Sequence, residues 1–198
     1  MRTYDRHAVC AFRYTRAIWG GFSNFYPLEC PIHAGPWLFH TAEALYQACK
    51  HPHRPDIQAR IAHAPSPKAA KAIARAAPLG PGWDARRADA MRWVLRMKRE
   101  AQPGPVDRWL DATGERPIVE VSVHDAWWGA RPVGERYLGR NVLGRLWMEL
   151  RQHVRESDPA ARAPVWARRL DLGPLSGAQA PVLAGSARWV SSLEGEGV

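Results

Sequence analysis

The sequence predicts an α+β domain, predominantly α-helical, with a few short strands. Apolar residues recur at helical spacing through residues 41–50, 84–100 and 141–154, while strict alternation is confined to 118–123. A chain of 198 residues with 46% hydrophobic content has enough apolar material for one well-cored domain plus an extension. Residues 1–156 are assigned to the domain and 157–198, rich in Pro, Ala and Gly, to a C-terminal extension that packs at most by Trp166 and Trp189.

Residues 1–40 read as short extended pieces and turns. Gly20 and Gly21 break any helical period ahead of the aromatic knot Phe22, Ser23, Asn24, Phe25 and Tyr26, which reads as an entry loop to a site. Thr41 then suits a helix cap for 41–50. Within that helix Glu43, Gln47 and Lys50 follow the 3.6-residue period and share one stripe, while Leu45, Tyr46 and Cys49 fall on other faces. Pro55 opens a second helix, and Ser66 with Pro67 opens a third, serine as cap and proline at the first helical position.

Residues 84–100 present Met91, Val94 and Leu95 to the core, with basic residues on the solvated side. A short helix spans 106–110. Along 118–123, Val119, Val121 and Val123 alternate with Ile118, Glu120 and Ser122, so Glu120 points away from the valine face. Residues 129–139 read as a loop. Asn141 is suited to cap the last helix, whose Leu143, Leu146, Trp147, Leu150 and Val154 form a core stripe.

The net charge of +9, from 28 basic and 19 acidic residues, favours a polyanionic or phosphate-bearing partner. From Ser157 onward Arg162, Arg168, Arg169 and Arg188 are balanced by Asp158, Asp171, Glu194 and Glu196, so the excess lies before the tail. No apolar run has signal-peptide or membrane-span length, which predicts a cytoplasmic chain without membrane contact. Cys10, Cys30 and Cys49 lack paired spacing and are expected as reduced, mostly packed thiols. Neither a metal site nor a cofactor fingerprint is expected. The histidines form no i, i+4 pair around a glutamate, and Gly129, Gly134 and Gly139 match no phosphate-loop pattern.

What remains is a set of carboxylates (Glu43, Glu120, Asp125), tryptophans (Trp83, Trp127, Trp128), Lys50 and amides (Asn24, Gln47, Asn141). Such groups suit glycoside cleavage. One carboxylate stabilises an oxocarbenium-like transition state or activates water, a second group protonates the leaving nitrogen, and an aromatic wall stacks on the base. Glu43 in a first helical turn is expected ionised. Asp125, between His124 and paired tryptophans, is the candidate for the complementary role if its surroundings are apolar. Lys50 either binds phosphate, pairs with Glu43, or attacks an opened ribose as a Schiff-base amine.

Five blocks recur in order: Gly21 to Tyr26, Glu43 to Lys50, Trp83, Val119 to Gly129, and Asn141 to Gly144 with Met148 to Arg151. In this order the chain resembles the NADAR, or YbiA-like, family from Phe12 to Arg155. The resemblance implies a largely helical fold and an N-glycosidase acting on ribosyl-amine bonds. Two substrate classes follow from it: ribosylamino-pyrimidine phosphates of the riboflavin pathway, and ADP-ribose on guanine in DNA. The second implies DNA and a cognate DNA-modifying ADP-ribosyltransferase toxin as partners. Carried over by residue, it implicates Glu43 first, with Asp125, Trp83 and Trp128 around the ligand and Asn24 and Asn141 as polar contacts. Phe22, Ser23, Phe25, Gln47, Glu120 and Gly129 complete the expected lining. The chain departs from the family pattern at Ala44, Leu45 and Cys49.

The favoured reading is removal of ADP-ribose from guanine in DNA, with the riboflavin intermediate as alternative. A rival from another class is a reader that binds ADP-ribose or nucleotides without hydrolysis; it has no need of an ionised Glu43. A purely structural nucleic-acid-binding domain is disfavoured, because no helix-turn-helix, zinc-finger or RRM signature is present.

Overall fold

A computed structural model describes residues 1–156 and 170–176. Six helices and seven short strands run in the order β1 (Arg2–Asp5), β2 (Cys10–Phe12), β3 (Ile32–Ala34), β4 (Trp37–Phe39), α1 (Ala42–Ala48), α2 (Pro55–Ala62), α3 (Pro67–Arg75), α4 (Trp83–Ala101), α5 (Pro103–Ala112), β5 (Ile118–Glu120), β6 (Ala130–Val133), β7 (Arg136–Gly139) and α6 (Val142–Glu156). Single 3₁₀ turns occur at Gly20–Phe22 and Gly173–Ser176.

The short helix α1 lies at the centre, and every residue from Ala42 to Ala48 is buried. Helices α2, α3 and α4 and the β3–β4 hairpin surround it. Its start is fixed as the sequence predicts: Thr41 is extended, and its Oγ1 accepts from Ala44 N at 3.2 Å. Such a cap contributes about 1 kcal/mol. Full burial of Leu45 adds roughly 1.5–3 kcal/mol. Seven residues are too few for a stable isolated helix, so packing holds α1. Ser66 caps α3 in the same way through Ala69 N.

Helix α6 packs on α4 and β5 along the predicted stripe, with Leu143, Leu146, Trp147 and Leu150 buried and Val154 packed against the core. Its approach to β5 requires Gly144, since a Cβ there would lie 2.1 Å from Ile118 O. Strand β5 pairs in parallel with β2, and β1, β7 and β6 form an antiparallel sheet in that order. A bridge between Val121 and Ala130 joins the two.

Three expectations are revised. The strand read over 118–123 ends at Glu120, after which only Val121 bridges. The segment read as a loop over 129–139 contains the β6–β7 hairpin, whose tight turn uses Gly134 at φ 53. Its residues Arg131 to Val133 are exposed, so burial imposes no apolar alternation there. Residues 170–176, assigned from sequence to the extension, pack on the domain with Leu172 and Leu175 buried. Gln58 Nε2 donates to Leu172 O at 3.3 Å, and Gly35 and Gly173 permit close backbone passage beside Pro174 and Pro52. Trp166 and Trp189 lie outside the described residues.

Cys10 and Cys49 are buried thiols and Cys30 is exposed. Among the described residues no helix is long and apolar enough to cross a membrane.

Candidate active site

The site is built around α1. Glu43 enters its first turn with its backbone N–H donating to Asn24 O at 2.9 Å, which fastens the aromatic knot to the helix. One turn later Gln47 Nε2 donates to Glu43 Oε1 at 2.7 Å. Lys71 reaches over from α3, its Nζ 3.9 Å from the same oxygen, and also lies 5.9 Å from the centre of the Phe25 ring. Lys50, just beyond α1, places Nζ 5.4 Å from the Tyr46 ring centre and 6.0 Å from that of Trp83. Tyr46 stands between Trp83 (5.4 Å) and Trp128 (5.5 Å) and completes an aromatic wall.

Glu120 comes from the end of β5, on the face of Ile118 rather than of the valines. Burial pushes its carboxyl up to about 7, and the neighbouring charges of Asp125 and Glu43 push the same way against Lys71. Burial also raises Glu43 above the ordinary carboxylate range. Lys71, a hydrogen bond from Gln47, Lys50 and Arg75 all oppose that rise. The first-turn position therefore does not secure the charge on Glu43; the cations of α3 and Lys50 oppose the desolvation but leave its pKa raised. For Lys50, burial lowers the ammonium pKa and Glu43 pulls it back up.

Several expected ligand contacts have structural duties instead. Phe22 is fully buried in the core, 5.1 Å from Trp147. Ser23 Oγ accepts from Phe25 N and shapes the turn. Asn141 is fully buried, in the left-handed region at φ 49. Its amide is consumed by β5, with Nδ2 donating to Ile118 O and Oδ1 accepting from Glu120 N, so its side chain anchors Glu120 and does not cap α6. Gly129 is buried and allows close passage beside Glu120 O, 2.7 Å from where a Cβ would stand. Asp125 is exposed, contrary to the apolar setting expected for it. Its Oδ1 accepts from Trp127 N and Trp128 N at 2.9 and 2.8 Å and so sets the angle of the tryptophan pair.

Two cations that the sequence reading passed over hold the site together. Lys71 was hidden because only tertiary packing brings α3 beside α1. Lys98, on the face of α4 read as solvated, is fully buried and donates to Gly21 O at 2.6 Å and Ser23 O at 2.9 Å. Its ammonium lies 5.4–5.7 Å from the ring centres of Tyr26, Trp109 and Trp147. Burial lowers its pKa to about 7.

Side-chain oxygens of Asn24 (Oδ1), Gln47 (Oε1) and Glu120 (Oε2) are buried with no hydrogen-bond partner. Buried unsatisfied acceptors are uncommon, and a group of them around a carboxylate suits a ligand rich in hydroxyl and amino donors.

The model of the NADAR domain family matches residues 11–155. The chain belongs to the NADAR family. Among its relatives, N-glycosidase YbiA of Escherichia coli strain K12 is 33% identical over 149 residues, covering 74% of this chain and 88% of that protein. The riboflavin biosynthesis protein PYRR of Zea mays, described as chloroplastic, is 33% identical over 167 residues. That alignment covers 77% of this chain but only 26% of the maize protein. Riboflavin biosynthesis protein VVA0006 of Vibrio vulnificus strain YJ016 is 32% identical, covering 71% of this chain and 37% of its own length. The NMR structure of E. coli YbiA superposes with a TM-score of 0.62 at 29% identity, covering 77% of this chain and 92% of that one. In this NADAR domain Glu43, Gln47, Lys71 and Glu120 thus meet at one place, walled by Tyr46, Trp83 and Trp128.

Proposed function

We propose that this chain is a hydrolase acting on N-glycosyl compounds, an N-glycosidase that cleaves a ribosyl C1′–N bond. The observation carrying this reading is a buried glutamate, Glu43, in electrostatic reach of a half-buried one, Glu120, in unlike electrostatic settings. Glu43 has Lys71, Lys50 and Arg75 nearby and a hydrogen bond from Gln47; Glu120 has the carboxylates of Asp125 and Glu43 nearby, with Lys71 alone opposing them. We assign the proton of this pair to Glu120, because Lys71, Gln47, Lys50 and Arg75 favour the ionised form of Glu43 whereas Asp125 and Glu43 disfavour that of Glu120. Glu43 then acts ionised, stabilising the cationic ribose or drawing a proton from water, and Glu120 protonates the departing nitrogen. The role first considered for Asp125 passes to Glu120, while Asp125 positions the tryptophans. Trp83 and Trp128 flank the base, and Lys71 and Arg75 suit a phosphate beyond the ribose.

Among substrates, ADP-ribose on guanine in DNA is favoured by the net charge of +9, whose excess lies within the domain-bearing part of the chain. The ribosylamino-pyrimidine phosphate of riboflavin synthesis is the second reading, favoured by what the maize and Vibrio relatives are called. Lys50 offers a covalent variant of either reaction. Its amine would condense with C1′ of the opened ribose, and borohydride would trap the adduct on the protein.

The test is product analysis with each substrate. Release of free ADP-ribose with restored guanine, or of ribose phosphate with the free pyrimidine, identifies the reaction. Glu43→Gln is expected to lower kcat by about 10²–10⁴-fold with an unchanged melting temperature. Tight binding with no product over hours would make the protein a non-catalytic reader.

A further inference from the structure

Trp127 is a wall common to two places. Its ring meets Trp128 of the aromatic wall, with centroids 4.5 Å apart and planes at 82°. It also lines a cleft of about 500 Å³ with Val142 and Leu146 of α6 and the arginines Arg92, Arg140 and Arg145. The carboxylate lining the cleft, Glu149, is engaged by Arg92, which also pairs with Asp89. Arg140 and Arg145 are exposed, and among the described residues their side chains have no ion pair or hydrogen bond. A further guanidinium, that of Arg87, stacks over Trp127 at 3.7 Å from the ring centre.

The cleft thus joins an apolar floor to two uncommitted cations, and it begins one indole away from the candidate active site. Phosphodiesters pair with arginine forks, and sugar and base edges pack on apolar and aromatic groups, the combination that single-stranded nucleic acid uses. Glu43 is only 6% exposed, so a base carrying ADP-ribose must leave its stack to reach it, which excludes an intact duplex at this point.

We propose that this cleft holds the single strand flanking the modified base, with Arg140 and Arg145 on consecutive phosphates and the sugar and base against Trp127 and Leu146. The proposal rests on the reading that the substrate is attached to DNA. It adds a second, backbone-reading site to the same reaction.

The test compares wild type with Arg140→Gln/Arg145→Gln. Both residues are exposed, and an unchanged melting temperature controls for folding. Binding of an unmodified, fluorescently labelled single-stranded deoxyoligonucleotide is followed by anisotropy over a salt series. Hydrolysis is measured on an ADP-ribosylated oligonucleotide and on ADP-ribosylated guanosine. The double variant is expected to bind the oligonucleotide about tenfold more weakly, with the log–log salt slope smaller by about 1.4 for two lost phosphate contacts. KM for the modified oligonucleotide should rise in step while the guanosine substrate stays within twofold of wild type. Unchanged oligonucleotide affinity, or an equal loss on both substrates, overturns the cleft assignment. Tighter binding of duplex than of single strand overturns the single-strand assignment. If wild type hydrolyses neither substrate yet binds single strands through these arginines, the cleft stands and the substrate reading falls. If it hydrolyses ADP-ribosylated guanosine while the variant leaves strand binding untouched, the cleft falls and the glycosidase reading stands.

Discussion

Glu120 illustrates how a single residue can serve chemistry at the expense of stability. Its pKa of about 7 in the folded protein exceeds the ordinary carboxylate value because desolvation penalises the ionised form, with repulsion from Asp125 and Glu43 adding to it. Between the unfolded pKa and about 7 the native state therefore holds a proton that the unfolded chain has released, so stability falls as pH rises through that window. Glu120→Gln is expected to raise stability by about 2–3 kcal/mol at pH 8 and to change it little near pH 5. Thermal melts at the two pH values check this. In the wild type, activity should decline as pH rises past about 7 and the donor loses its proton. The spacing of Glu43, Gln47 and Lys50 made their common stripe legible in the sequence. The proton-holding character of Glu120 was not legible, because desolvation depends on residues distant along the chain. Asp125 was misread for the same reason: adjacent tryptophans in sequence suggested an apolar setting, but the carboxylate folds back onto their amides at the surface.

At the scale of elements, α4 does more than cover α1. Through Lys98 it clamps the carbonyls of Gly21 and Ser23, while Trp147 Nε1 from α6 donates to Phe22 O at 3.0 Å. Three successive carbonyls ahead of Asn24 are thus held by two helices, and Asn24 O in turn receives the Glu43 amide. Lys98→Met strands the Gly21 carbonyl, while Ser23 O keeps the Tyr26 amide, and is expected to destabilise the fold by about 1–3 kcal/mol. Urea melts measure that loss, and a fall in kcat/KM beyond the unfolded fraction would report misplacement of the Asn24 loop. Helix boundaries were legible where local chemistry sets them, as at Thr41, Ser66 with Pro67, and the stripe of α6. The β6–β7 hairpin was not, since its exposed strand carries no apolar alternation. Lys98 was not either, since a lysine among arginines has no local mark of burial.

Across the whole molecule, a central helix with its full circumference buried forces the surrounding chain to supply cover from many directions. Residues 170–176 contribute to that cover by seating Leu172 and Leu175 beside the β3–β4 turn and the Pro52 segment. Leu175→Ala is expected to cost about 2–5 kcal/mol, measured by denaturant unfolding, although the sequence placed it in an extension. The sequence by itself determined the helical class, the positions of the main helices, the caps of α1 and α3, the family, and the stripe bearing Glu43. These follow from short-range periodicity, capping chemistry and the order of motif blocks along the chain. Only the tertiary structure decided that α1 is buried all round, that Lys71 and Glu120 join Glu43, and that Asn141 and Phe22 support the site rather than line it. Burial and charge proximity arise between elements far apart in sequence, and those two quantities set which side chains are left to meet a ligand.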